Sequence, residues 1–85
     1  MKKLIKFYST NCSPCKAMAP VVEDVLEGTD IKLEEVAIDS DEGLKKASEL
    51  GIRAVPTFIF TVDGLAKGMK SGVMTRDELS KFVGL

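Results

Sequence analysis

The sequence predicts an α/β fold: a four-stranded mixed sheet packed by three helices, in the order β-α-β-α-β-β-α. Three observations carry this. Short apolar, β-branched runs alternate with stretches of helical spacing. An Asp63-Gly64 pair joins the last two strand-like runs directly, and Thr75-Arg76-Asp77-Glu78 forms a capping signature before the final helical run. A strand-helix-strand half places its strands parallel, while a two-residue turn makes the next pair antiparallel, so the sheet is mixed.

The elements follow in order. Lys3 to Tyr8 gathers Leu4, Ile5, Phe7 and Tyr8 into a run too short for a helix, ended by polar turn formers. Beyond it Met18, Val21, Val22, Val25 and Leu26 recur at helical spacing, with Lys16, Glu23, Asp24 and Glu27 on the other face and Gly28 as the stop. Pro20 inside this helix removes one backbone hydrogen bond and is expected to bend the axis. Ile31 to Ile38 reads as the second strand, and Asp39-Ser40-Asp41 supplies oxygens suited to the start of a helix. Leu44, Ala47 and Leu50 form that helix's apolar stripe, and Gly51 terminates it. Thr57 to Val62 is aromatic and β-branched, and through Asp63-Gly64 it forms a hairpin with Leu65 to Ser71. Leu79, Phe82 and Val83 are the inward stripe of the last helix.

Composition narrows the function. Eighty-five residues, with 45% hydrophobic and 29% charged, fit one compact domain spanning 1–85 and lie far from the composition of disordered chains. Twelve basic against thirteen acidic residues leave a formal charge of −1, which argues against a nucleic-acid or anionic-lipid partner. The basic start Met1-Lys2-Lys3 is followed by too few apolar residues for a secretion signal, and no run approaches the roughly 20 needed to span a bilayer. The chain therefore reads as cytoplasmic. In that reducing compartment two nearby cysteines are more often catalytic or metal-binding than a structural staple.

Cys12-Ser13-Pro14-Cys15 falls between the first strand and the first helix. The first sulfur is thus expected at a helix amino end, where free amides and the macrodipole favour a thiolate. Lowered pKa raises the fraction of nucleophile and improves the later leaving group, which suits Cys12 for attack on a disulfide. Cys15, about a turn further on, is spaced to attack the resulting mixed disulfide and release the substrate. Pro14 has no amide to lose in the first turn and stiffens the short ring formed on oxidation. Two competing readings are a metal site and an inert pair. Structural zinc needs four ligands, and this chain offers two cysteines and no histidine, so a metal would require a second chain and none is expected. The strand-to-helix position favours exchange over an inert pair.

These blocks together resemble the thioredoxin family: Phe7, Cys12-Ser13-Pro14-Cys15-Lys16, Ala19-Pro20, Ile38-Asp39, Gly51-Ile52-Arg53-Ala54-Val55-Pro56-Thr57-Phe58 and Gly72 fall in that family's order over nearly the whole chain. The resemblance implies a thioredoxin-like fold and reduction of protein disulfides without a bound cofactor. Electrons would come from a thioredoxin reductase-type donor, with glutathione as the alternative, and the protein would act as a monomer. It also implies a cis Val55-Pro56 bond, with Ala54, Val55, Pro56, Gly72 and Val73 binding substrate and the Val55 backbone pairing with a substrate strand. Gly72 would let backbone pass near the cysteines, and Met74 would belong either to the apolar apron or to the core. Tyr8 occupies an aromatic position of the family for which packing is a sufficient role.

Departures from the family pattern are specific. The chain starts at the strand leading into the cysteines, so the family's usual first strand and helix are not seen, and the remaining core is one shared with glutaredoxins. Asn11 stands in place of a tryptophan and Ser13 in place of a glycine. Lys6 stands where many members carry a buried acid; it either approaches the sulfurs and supports a thiolate or carries its charge out to solvent. The competing functions are a glutaredoxin-like, glutathione-coupled reductase and a peptide-binding adaptor in which electron transfer is incidental.

Overall fold

The computed structural model describes residues 1–85. Its elements are β1 (Lys2–Tyr8), α1 (Ser13–Leu26), β2 (Lys32–Ala37), α2 (Asp41–Glu49), β3 (Thr57–Val62), β4 (Leu65–Ser71) and α3 (Arg76–Phe82). They form one four-stranded sheet in the order β2-β1-β3-β4. β1 and β2 are parallel, as a helical crossover requires, and β3 runs antiparallel to both β1 and β4. The mixed sheet read from the sequence is therefore present, with β1 in its interior.

Each helix starts where a side chain can satisfy free amides. Cys12, Ser40 and Thr75 are the N-caps of α1, α2 and α3, and Thr75 and Glu78 complete the reciprocal capping box. α1 continues through Pro20 to Leu26. The hairpin turn has Asp63 at φ 52° and Gly64 at φ 83°, the pair of left-handed residues that an Asp-Gly turn supplies.

Side-chain alternation along β1 and β3 divides the core in two. Leu4, Phe58 and Phe60 face α1 and α3, where they join Met18, Val22, Val25, Ile31, Met74, Leu79 and Val83 in the main core. Phe7 and Ile59 point the other way and meet Ala47 of α2. Here the predicted stripe of α2 is corrected: Leu44 and Leu50 remain 57% and 44% exposed, and the buried positions are Gly43 and Ala47. The physical reason is close approach. A side chain on Gly43 would overlap the Ala37 carbonyl oxygen, so α2 lies against β2 through its smallest residues and turns its leucines outward.

Sheet direction decides where the loops meet. β1 and β2 end at the same edge, and the antiparallel β3 begins there, with Phe7 opposite Thr57 and Thr57 opposite Ser71. The segments 9–12, 38–40, 54–56 and 72–75 thus gather at one end of the sheet, beside the start of α1.

Candidate active site

Cys12 and Cys15 are joined by a disulfide, with their Cα atoms 5.2 Å apart. Cys12 has extended backbone (φ −101°, ψ 102°) and Cys15 lies in the first turn of α1. The Cys12 Sγ accepts a hydrogen bond from the Cys15 amide at 3.1 Å. A sulfur thus occupies the place where helices normally put a serine or aspartate oxygen, at the positive end of the backbone dipoles. No acidic side chain in the first turn competes for that end, and Pro14 contributes no unpaired amide there. Both sulfur-bearing residues are largely covered, Cys12 at 7% exposure and Cys15 at 3%.

The loop that delivers Cys12 is fixed from across the sheet. Asp39, just past the end of β2, accepts hydrogen bonds from both the amide and the hydroxyl of Thr10 through one oxygen. The Thr10 hydroxyl, and then its amide, hold the Asp39 carboxyl below its ordinary pKa. Sequence reading placed Asp39 at the approach to α2 and in the Ile38-Asp39 block of the family resemblance, without a partner; that partner is 29 residues away, and no local pattern reveals such a pair.

Val55-Pro56 is a cis peptide, Pro56 is fully buried, and the β3 ladder begins only at Thr57. The Pro56 carbonyl accepts from the Gly72 amide at 2.8 Å, and the Thr57 hydroxyl donates to the Ala54 carbonyl at 2.6 Å. The Met74 amide in turn reaches the Met18 sulfur at 3.3 Å, one turn beyond Cys15 on α1. Through these bonds the 54–57 and 72–74 segments are tied to each other and to the first turns of α1. Met74 is core; Val73 beside it is 59% exposed, and Ala54 is exposed too. The close-approach reason expected for Gly72 is corrected: a side chain there would meet nothing within 4 Å, and what requires glycine is its φ of 96°.

Lys6 does not carry its charge out to solvent. It is 4% exposed, and its Nζ donates to the Cys15 carbonyl at 2.9 Å. It lines a cleft of about 280 Å³ with Tyr8, Thr10, Cys15, Lys16 and Glu35, the last being its register partner on β2. Sequence reading missed Glu35, although pairing the first two strands in parallel would have set the two charges side by side. No group of three or more His, Cys, Asp or Glu side chains is placed to hold a metal, and no helix is long and apolar enough to cross a membrane.

A redox-active cysteine pair at a helix start in an α/β sheet defines a dithiol-disulfide oxidoreductase. The thioredoxin family model matches residues 1–84, and the chain belongs to that family. It is 32% identical over 78 residues to thioredoxin 1 of Nostoc sp., covering 92% of this chain and 73% of that protein. Identity to the thioredoxin of Pseudomonas aeruginosa is 29% over 80 residues, 94% of this chain and 74% of the relative. Among solved structures, a mutant thioredoxin from Halobacterium salinarum superposes with a TM-score of 0.84 at 33% identity, over 96% of this chain and 71% of that one. Mitochondrial thioredoxin 3 of Saccharomyces cerevisiae, in its oxidized form, gives 0.84 at 31% identity, over 96% and 76%. The protein is a thiol:disulfide oxidoreductase that exchanges dithiol for disulfide at Cys12 and Cys15, and the family acts on disulfide-containing protein substrates. The glutaredoxin-like and adaptor alternatives are not favoured by these relatives.

Proposed function

We propose that the protein reduces disulfides of other proteins, with Cys12 as the attacking sulfur and Cys15 as the resolving one. The observation that carries the assignment is the hydrogen bond from the Cys15 amide to the Cys12 sulfur at the N-cap of α1. Amide donors and the helix dipole stabilise negative charge on the capping sulfur, and Cys12 is the less covered of the two. The Cys12 thiolate attacks one sulfur of the substrate disulfide, forming a mixed disulfide and expelling one substrate thiolate. The Cys15 thiolate then attacks the Cys12 sulfur, the Cys12-Cys15 bond forms, and the second substrate thiolate leaves. Two electrons pass to the substrate, and no bound cofactor is needed.

The substrate segment lies along Ala54, Val55 and Pro56, adding to the backbone at Val55, where the β3 ladder has not yet begun, with Gly72 and the exposed Val73 as the opposite wall. Ser13 and Pro14 shape the short loop between the sulfurs. A thioredoxin reductase-type flavoprotein returns the electrons. The functional unit is a cytoplasmic monomer of one domain, in keeping with the balanced charge and the single pair of cysteines.

The experiment is a trapping assay with an oxidised protein substrate. Cys15→Ser should accumulate a covalent complex with substrate that dithiothreitol releases, whereas Cys12→Ser should form none and lose all turnover. Complexes formed by Cys12→Ser but not by Cys15→Ser would invert the roles. Turnover driven by glutathione and its reductase, with none from a thioredoxin reductase, would overturn the choice of donor.

A further inference from the structure

A lysine is rarely buried without a partner for its charge. Lys6 takes part in none of the molecule's five ion pairs, and its one hydrogen bond goes to the Cys15 carbonyl. The groups around it come from four elements and the loops at the sheet edge. Glu35 on β2 shares its cleft but is exposed and stands beyond ion-pair distance. Tyr8 lies on its own strand, Lys16 on α1, and Thr10 with its bound Asp39 at the edge; β3 presents Phe58, which carries no charge. Water screens the exposed carboxylates, whereas a buried ammonium acts on its neighbours through a weaker dielectric. The strongest uncompensated charge near Cys15 is thus positive and fixed to that residue's own backbone.

We propose that Lys6 is a positioning residue for the second half of the exchange: its ammonium, anchored on the Cys15 carbonyl, favours the thiolate of Cys15 and so speeds resolution of the mixed disulfide. This rests on reading Cys12 as the attacking sulfur and Cys15 as the resolving one. In the mixed disulfide Cys15 is a thiol. It loses its proton to water in the cleft and attacks the Cys12 sulfur; the bond from Cys12 to substrate breaks, and the departing sulfur takes the electron pair and then a proton from solvent.

The test is a stopped-flow reaction of the reduced protein with dithiobis-nitrobenzoate, whose first coloured thiolate reports attack and whose second reports resolution. Site-resolved carbon NMR titration of Cys12 and Cys15 accompanies it. Lys6→Gln keeps a hydrogen-bond donor for the Cys15 carbonyl and removes the charge. The Cys15 titration should rise by about one pH unit. Tenfold less thiolate at pH 7, partly offset by the greater nucleophilicity of a more basic sulfur, should slow the second phase about threefold and leave the first nearly unchanged. Lys6→Arg should restore both readouts. An unmoved Cys15 titration in folded Lys6→Gln, or equal slowing of both phases without a titration change, overturns the proposal. Should Lys6→Gln fail to fold, Lys6→Met carries the test, because an apolar side chain of similar length suits the buried site: the Cys15 titration must rise as it does for glutamine, and no movement overturns the idea. Failure of the underlying reading looks different, because the first phase would then vanish in Cys15→Ser and persist in Cys12→Ser.

Discussion

The two faces of the sheet are built on different principles. Toward α1 and α3, ten buried residues interlock, so side-chain volume holds the helices. Toward α2 the buried apolar cluster is only Phe7, Ala47 and Ile59, and the helix is held by close backbone approach at Gly43 and by Glu34, which bridges Lys3 and Lys46 at 3.1 and 3.0 Å. The difference teaches where rigidity is spent. The thick face carries α1, whose first turn aims the sulfurs, while the thin face supports only the strands beneath.

Neighbouring residues on β3 give the sharpest test, because Phe58 and Ile59 point to opposite faces. Phe58→Ala should cost about 3–5 kcal/mol in urea unfolding and Ile59→Ala about 2 kcal/mol, since its surroundings are sparser and can relax. Equal costs would break the comparison. Gly43→Ala comes next. Alanine outranks glycine in helices by about 1 kcal/mol, yet displacement of α2 from Ala37 should leave a net loss of about 1–2 kcal/mol. A stabilised variant would show that α2 can slide freely.

The smallest effect is electrostatic. Hydrogen bonds from Lys46 and then Lys3 hold the Glu34 carboxyl below its ordinary value. A folded pKa below the unfolded one contributes stability above the unfolded value, and this is lost as pH falls through the folded one. Glu34→Gln should therefore destabilise by a few tenths of a kcal/mol at pH 7 and converge with the parent protein at an acid pH below the lowered folded value, the partly exposed pairs being screened by solvent and salt. Urea midpoints at the two pH values check it; a difference that persists in acid would assign Glu34 a role other than charge.

Element order, the hairpin turn, the caps at Thr75 and Ser40, and the cysteine pair at a helix start were legible because each is written within a few adjacent residues. What escaped was set by long-range contact. The α2 stripe misled because Leu44 and Leu50 match helical spacing, while tight packing at Gly43 decided which side faces the sheet. Ile31 and Ile38, read as strand ends, lie just outside β2. The cis bond came from resemblance rather than from residue patterns. The anchoring of Thr10 by Asp39, and the turning of Lys6 inward onto Cys15, depend on strand pairing that no single segment encodes.

One consequence follows from the cap of α1 being a sulfur. Serine is among the best residues at such a position, and alanine there typically costs about 1 kcal/mol. Swapping Cys12 for its oxygen counterpart therefore silences the chemistry while leaving the first amides of the helix a partner, whereas alanine removes reactivity and anchorage together. A protein silenced through the hydroxyl is the cleaner decoy: catalytically dead, conformationally whole, and suited to competing with the active form for its clients.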